Sequence, residues 1–552
     1  MDMKLGACQS KLDSCLAGLA AGRFIPRFLA KDHTLWKDDP DHARVVANRM
    51  GWLGVAGDLL ARAGELSAFA DEIRQAGFRH VVLLGMGGSS LGPDVLRQTF
   101  GRRRGYPDLI VLDSTDPGMI TLVNRRIDPE KTLFIVASKS GSTIESQMFY
   151  QYYAAKVGGD HFAAITDPGT SLERLARERG FRRVFSNPSD IGGRYSVLSY
   201  FGMVPAALCG IEAARLLERG ERMTGLLRAG LPPESTPPVL LGAALGTLAL
   251  AGRNKVTFMA SPPIATFGYW VEQLIAESTG KEGQGIVPIE GEPAGAPSRY
   301  RKDRVFVHLA LRGSRDTAIR TRLAALRRAG HPCITVPLDD LYDLGTEFQR
   351  WEIATAVAAS VLGIDPFDEP NVKESKDNTG RVLEQYRTTG ALPATAPDLR
   401  EKGIDIWAPA YKQRRGLAPL FDEFCRSVRP GDYIALMAYL PMEENVDGIL
   451  GKIRVKLRDR CRTATTLGFG PRFLHSTGQL HKGGAGNGLF IQITAEKTRD
   501  HEIPGENFSF GVLQAAQAAG DYLSLTSRGY RTVRLHLGRN TVKDLKVVAA
   551  RI

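Results

Sequence analysis

Four small hydroxylated residues, Ser138, Ser140, Ser142 and Thr143, crowd around Gly141, with Lys139 among them. Such a cluster is suited to holding an anion. An apolar, β-branched run at 133–136 precedes it and a helical stretch at 144–153 follows. The cluster therefore falls at a helix N-terminus, where unpaired N–H groups and the helix dipole add to the attraction. The Gly-Lys-Ser/Thr ending of a Walker A loop is absent, so the turn suits a small phosphate ester better than a nucleotide. A plain Ser-rich N-cap would use the same residues.

Asp190-Ile191-Gly192-Gly193-Arg194-Tyr195-Ser196 offers a different chemistry. Gly192 and Gly193 let the backbone pass close to a ligand, and Arg194 can hold a phosphate or a developing oxyanion. Glu277 lies four residues after Gln273, on one helix face, in the last turn before Gly280. A carboxylate there is disfavoured by the helix dipole, which raises its proton affinity, a property a general base can use. Lys376 lies about one turn past Val372. His475 and His481 sit in a glycine-rich loop, HSTGQLHKGG, where neither is expected to be mere core packing. Their spacing of six carries no metal signature.

These residues need elements to position them. Apolar runs ending in glycine–serine turns recur: 79–86 runs into Gly85-Met86-Gly87-Gly88-Ser89-Ser90-Leu91-Gly92-Pro93, and 133–136 into the hydroxyl cluster. Two such turns can lie at the carboxyl edge of one parallel sheet. Further strands are predicted at 109–112, 163–166 and 183–185, alternating with helices, which is an α/β pattern with one crevice. A second α/β unit spans 238–390, with strands at 256–260, 305–311 and 334–338. A third α/β piece covers 400–552, with strands at 433–439, 490–494 and 532–537. Residues 1–75 read as helices, with Trp36 and Trp52 as core or interface anchors. The first α/β domain is expected at 76–230. LPPESTPP at 231–238 and TTGALPATAP at 388–397 read as linkers.

The whole chain bounds the class. Its 552 residues suggest two to four domains, and its 43% apolar and 24% charged residues are ordinary for a globular protein. No run is long enough to span a membrane, no secretory leader is read at the N-terminus, and six scattered cysteines form no CxxC. Cytoplasmic location with reduced thiols is expected, without metal or cofactor. The net charge of +12 is scattered, so nucleic acid is not the expected partner; the excess suits an anionic metabolite.

Taken together, GMGGSSLGP at 85–93, SKSGST at 138–143, DIGGRYS at 190–196, ESTGKEGQG at 277–285 and FDEPNVKESK at 367–376 resemble the phosphoglucose isomerase family, in family order over some 300 residues. The resemblance covers roughly residues 20–395. It implies two SIS-type (sugar isomerase) parallel-sheet sandwiches with N-terminal helices and the third α/β piece behind them. Residues 400–552 resemble the tail of the isomerase half of bifunctional transaldolase/phosphoglucose isomerases. The implied activity is interconversion of glucose 6-phosphate and fructose 6-phosphate through a cis-enediol, in a homodimer. A broader isomerase that also takes mannose 6-phosphate, and a non-catalytic sugar-phosphate-binding SIS protein, are the alternatives.

By that resemblance, Gly88, Ser89, Ser138, Lys139, Ser140 and Thr143 form the sugar-phosphate cradle, and Gly193 and Gln273 contact substrate. Arg194 lies beside the reacting carbons, Glu277 moves the proton, and Lys376 with a histidine opens the ring. The chain departs from the family at Glu369, Asn371 and Lys373, where the motif carries glutamine, glycine and glutamate. Tyr200 and Phe201 are bulkier than the family's residues. HSTGQ comes about a hundred residues after Lys376 rather than between the glutamate and the lysine. His475 is therefore expected to reach the site from the third domain, either of the same chain or of a neighbouring subunit.

Overall fold

The computed structural model describes residues 1–393, 395–411 and 416–552. The chain opens with a short strand, Asp2–Lys4 (β1), where only helices were expected, and five helices follow between Gln9 and Gln75. The first sheet is built from His80–Gly85 (β2), Asp108–Leu112 (β3), Thr132–Ala137 (β4), Phe162–Thr166 (β5) and Arg183–Ser186 (β6). All neighbours are parallel, in the order β3-β2-β4-β5-β6. The order reverses between β2 and β4, so the turns that follow these two strands face one crevice, where open α/β sheets bind ligands.

The second sheet contains Lys255–Ala260 (β7), Val287–Ile289 (β8), Arg304–Leu311 (β9) and Cys333–Leu338 (β10), in the order β1-β10-β9-β7-β8. β1 pairs antiparallel with β10 and closes that edge. β8 has only three residues, too short for an apolar period to show. The third sheet has a β hairpin, Leu399–Glu401 (β11) and Ile404–Trp407 (β12), then Tyr433–Tyr439 (β13), Ala464–Phe469 (β14), Gly488–Ala495 (β15) and Arg531–Leu537 (β16). Its order is β11-β12-β16-β15-β13-β14, parallel from β16 through β14. The architecture is α/β with two SIS-type sandwiches and a third α/β unit, as expected.

The central strands are apolar throughout because both faces are covered. In β2 and β4, Val81, Leu83, Leu133 and Ile135 face one core, and Val82, Leu84, Phe134 and Val136 face another. The first of these cores continues through the N-terminal helices into one face of the second sheet, so these three regions share one interior. Trp36 and Trp52 are buried in it. Trp52 stacks on Tyr195, and Trp36 packs edge-on to Phe367, so both brace site segments.

The expected linker at 231–238 is packed chain: helix Pro237–Leu250 already begins inside it. That helix carries glycines because helix Asp343–Leu362 lies against it; a Cβ at Gly242 would come within 2.4 Å of the Ala354 carbonyl oxygen. The second expected linker also starts within a helix, Val372–Thr389, and its Ala394 lies outside the described residues.

The third unit is clamped to both sandwiches. Glu292, beyond β8, is buried and takes hydrogen bonds from Arg304 (3.0 Å) and from the Thr465 hydroxyl of β14 (2.8 Å). Arg472, just before the HSTGQ segment, inserts between Asp94 (2.8 Å) and Asp113 (3.0 Å) of the first sandwich. All three of these groups are largely buried. Buried charges are tolerated only when paired in this way, so the clamp also fixes geometry.

Candidate active site

Helix Phe267–Thr279 turns Phe267, Trp270, Val271, Leu274 and Ile275 into the core. The adjacent stripe, Gln273 and Glu277, faces the crevice. Gln273 Nε2 donates to Glu277 Oε2 (3.1 Å) and to the backbone carbonyl of His475 (2.8 Å). The helix ends at Gly280, but φ there is −83°, so no left-handed turn calls for glycine. The reason is close approach: a Cβ would lie 2.4 Å from Leu480 Cα. The third unit docks on the end of this helix.

The glycine turns meet at the same place. Gly88 sits so close to Gly193 that a Cβ would come within 1.9 Å of the Gly193 carbonyl oxygen. Gly87, at φ +54°, would put a Cβ 2.9 Å from both Gln273 Nε2 and the His475 carbonyl oxygen. Segments around residues 88, 193, 273 and 475 thus converge. Ser89 lies in this turn, nearly buried, while its neighbour Ser90 is spent on Asp113 (3.0 Å).

Arg194 is buried, with four side-chain or backbone acceptors. Its Nε donates to Ser278 Oγ (2.9 Å), its Nη2 to the carbonyls of Pro366 and Asp368, and its Nη1 to Glu369 Oε2 (2.9 Å). The Glu277 carboxylate lies 3.6 Å from the same Nη1. Buried Lys281 holds the acceptor loop by donating to the Asp368 carbonyl (2.6 Å) and carboxylate (2.6 Å). Burial raises the Glu277 carboxyl above its ordinary range; Arg194 opposes this and the negative charge of Glu369 adds to it. Burial, more than the helix dipole, is therefore what tunes this carboxylate.

His475 reaches the site within the same chain. Its Nε2 lies 2.9 Å from Oε1 of Glu145, a buried residue in the first turn of helix Ile144–Ala154, just after the hydroxyl cluster. Gln517 donates to the same carboxylate oxygen at 2.7 Å. Burial works against ionisation of Glu145, yet the facing His475 holds its carboxyl below the usual range, with Lys376 contributing. Lys376 itself is exposed on helix Val372–Thr389. Glu145, Gln517 and Arg472 were not picked out in the sequence. An acid in a first helical turn is a common dipole partner, so nothing local marks Glu145 as a partner for a histidine.

His481 does not join the site, contrary to the expectation for two loop histidines. It is buried among Tyr433, Phe473 and Phe490, neither ring nitrogen has a partner among the described residues, and burial, with Lys482, pushes its pKa down to about 3. It packs as a neutral ring. Asn371, one of the departures from the family motif, meets this segment: its N–H donates to Gln479 Oε1 (2.9 Å) and its side chain accepts from Gln479 Nε2 (2.8 Å).

In the hydroxyl cluster, Ser138 and Thr143 hydroxyls pair at 2.9 Å, as do those of Ser140 and Ser142. Gly141, at φ +67°, makes the tight turn. A cleft of about 280 Å³ opens beside it, lined also by Ser171 and Arg174. Lys139 turns away from the hydroxyls. Its ammonium pairs with Asp167 and donates to the Ser189 carbonyl (2.9 Å), which ties the cluster to the loop leading to Arg194. The expected direct role of Lys139 in the cradle is therefore not the arrangement seen. Replacing Thr143 with Val should weaken binding of 6-phosphogluconate by ~1.5–3 kcal/mol, the scale of a hydrogen bond to a charged group. Isothermal titration measures this, and unchanged affinity would leave the turn as a helix cap.

A buried carboxylate against a guanidinium, a histidine on a second carboxylate and a hydroxyl turn at a helix N-terminus are groups that acid–base chemistry on a small anionic substrate could use, on a SIS-type scaffold. Comparison with known proteins is consistent with that class. Residues 64–286 match the family model described as phosphoglucose isomerase. A glucose-6-phosphate isomerase of Rubrobacter xylanophilus is 28% identical over 421 residues, covering 66% of this chain and 94% of that protein. One from Desulfitobacterium hafniense (strain Y51) is 27% identical over 416 residues, covering 63% and 76%. Among solved structures, a hypothetical protein of Thermus thermophilus aligns with a TM-score of 0.57 at 24% identity, covering 70% of this chain and 100% of that one. A glucose-6-phosphate isomerase of Chlamydia trachomatis aligns with a TM-score of 0.51 at 21% identity, covering 59% and 73%. The structural likenesses speak for the fold. The chain is similar in sequence to glucose-6-phosphate isomerases, and its residues 64–286 match the phosphoglucose isomerase model.

Proposed function

We propose that the protein is an aldose–ketose isomerase that interconverts glucose 6-phosphate and fructose 6-phosphate. The observation that supports this most is the pair formed by Glu277 and Arg194, 3.6 Å apart in a crevice floored by Gly88 and Gly193. A carboxylate of raised proton affinity can carry a proton between C1 and C2, and a guanidinium can steady the enediolate that forms between the two transfers. Neither step changes the redox state of the pair of carbons taken together. General acid–base help of about 10²–10⁴-fold and oxyanion stabilisation of about 3–4 kcal/mol are what these two groups are asked to supply.

The hydroxyl cluster anchors the phosphate at the far end of the open-chain sugar. His475 opens the ring by moving a proton between the ring oxygen and the anomeric hydroxyl. With Nε2–H donating to Glu145, Nδ1 is the nitrogen left for the sugar. Lys376 adds positive charge on the same side. Gly88, Ser89, Gly193 and Gln273 line the substrate path. The third unit then has a definite role: it carries His475 and holds it against Glu145. In this reading it is the counterpart of the tail of the bifunctional transaldolase/phosphoglucose isomerases. No helix among the described residues is long and apolar enough to cross a membrane, and the six cysteines are unpaired. The likeness to the isomerases is what supports reading the protein as a cytoplasmic homodimer.

The test is a coupled assay with glucose-6-phosphate dehydrogenase, fed fructose 6-phosphate. NADPH formation that depends on the protein is expected. Its absence, with 6-phosphogluconate still bound, would point instead to a non-catalytic sugar-phosphate binder. Mannose 6-phosphate fed to the same protein separates the narrow from the broad isomerase.

A further inference from the structure

Glu369 is a second carboxylate on the guanidinium that serves Glu277. It stands where the family motif quoted above carries glutamine. Arg194 Nη1 is 2.9 Å from Glu369 and 3.6 Å from Glu277, so Glu369 holds the shorter contact. The two acids differ in freedom. The Glu369 side chain is 40% exposed, on the rim of the crevice, whereas that of Glu277 is 11% exposed and held by Gln273. Two carboxylates share one buried guanidinium, so the charge on each disfavours ionisation of the other.

Each acid has its own surroundings. Glu277 faces Arg194 from the glycine turn, Glu369 from the loop before helix Val372–Thr389, His475 from the third unit and Gln273 on its own helix. Glu369 faces Arg194, Arg49 from the N-terminal region and Lys281 from the end of the Glu277 helix. Three cations therefore favour the charged form of Glu369, and Arg194 is the first of them.

We propose that Glu369 is a positioning residue that sets the proton affinity of Glu277 by occupying Arg194 as its nearer carboxylate. The proposal rests on the reading of Glu277 as the base. Directions agree with it: burial and the charge of Glu369 push Glu277 up, while burial works against the charge of Glu369 and Arg194, Arg49 and Lys281 together still hold it below the usual range.

The experiment compares wild type, Glu369→Gln and Glu369→Asp. The pH profile of kcat/KM with fructose 6-phosphate should show the acidic limb of E369Q about 0.5–1 pH unit below that of wild type, because a like charge beside Glu277 has been removed. The substrate's own phosphate titration is common to all three and cancels. E369D keeps the charge, and its limb should stay nearer to wild type. An unmoved limb in E369Q, or an E369D shift as large as that of E369Q, would overturn the proposal. Difference infrared spectroscopy of the protonated carboxyl band supplies a readout without turnover. The band component lost in Glu277→Gln should titrate at lower pH in E369Q than in wild type, and equal titration would overturn the proposal. An inactive wild type would instead sink the isomerase reading, and the infrared titration would still decide whether Glu369 tunes Glu277.

Discussion

Glu277→Gln is expected to lower kcat for fructose 6-phosphate by about 10²–10⁴-fold, the range supplied by a positioned general base. Binding of 6-phosphogluconate should change little, because the hydroxyl cluster is a separate segment and the amide keeps the shape of the carboxyl. Steady-state kinetics beside isothermal titration check both halves of this expectation. A variant retaining more than about a tenth of wild-type kcat would remove Glu277 from the role, since general-base catalysis contributes more than that. The pH dependence has a definite sign. The base must be ionised in the free enzyme to accept the proton, so activity falls as pH drops through its pKa. Burial raises that pKa above the ordinary glutamate value, so the acidic limb of kcat/KM for wild type should lie above the usual carboxylate range.

His475→Ala is expected to slow turnover of the cyclic sugar phosphate by about 10²-fold or more, within the range of acid–base catalysis, while deuterium exchange into open-chain substrate is less affected. The structure makes this a clean dissection. The His475 carbonyl that accepts from Gln273 belongs to the backbone and survives the substitution, so the Glu277 side of the site keeps its support. Only the imidazole on Glu145 is removed. Equal loss in isomerisation and exchange would assign His475 to holding the site together. Loss in neither would take the third unit out of the chemistry. Glu145→Gln should move in the same direction as His475→Ala, because the imidazole would lose the carboxylate that fixes its tautomer and steadies its charge.

The strand–turn–helix units, the order of the motifs and the segments that meet in the crevice were legible in the amino-acid sequence. The reason is physical. A parallel strand covered on both faces must be apolar along its whole length, so β2 and β4 show as unbroken runs. A turn that is to offer free N–H groups must be small and polar, so the candidate anion site stands out at the strand's end. Gln273 and Glu277 could be placed on one face because helical spacing is local. Short or edge elements such as β1 and β8 escaped because three residues carry no period.

The tertiary structure alone decided what each polar group finds. His475 and Glu145 are 330 residues apart, and Arg194 and Glu369 are 175 apart, so no local pattern could pair them. His475 and His481 were expected in one glycine-rich loop; the structure puts His475 at the end of the short turn Arg472–His475 and His481 in the helix Gly478–Gly483, so one meets a carboxylate and the other an aromatic cage, a difference that packing sets. Lys139 belongs to the hydroxyl cluster by position but to Asp167 by contact, because a buried-edge carboxylate attracts the nearest cation. Gly280 marked a helix end in the sequence; in the fold it is the small surface on which the third unit lands. The residue types therefore determined which chemistry was available, and long-range packing determined which charges and protons could meet to perform it.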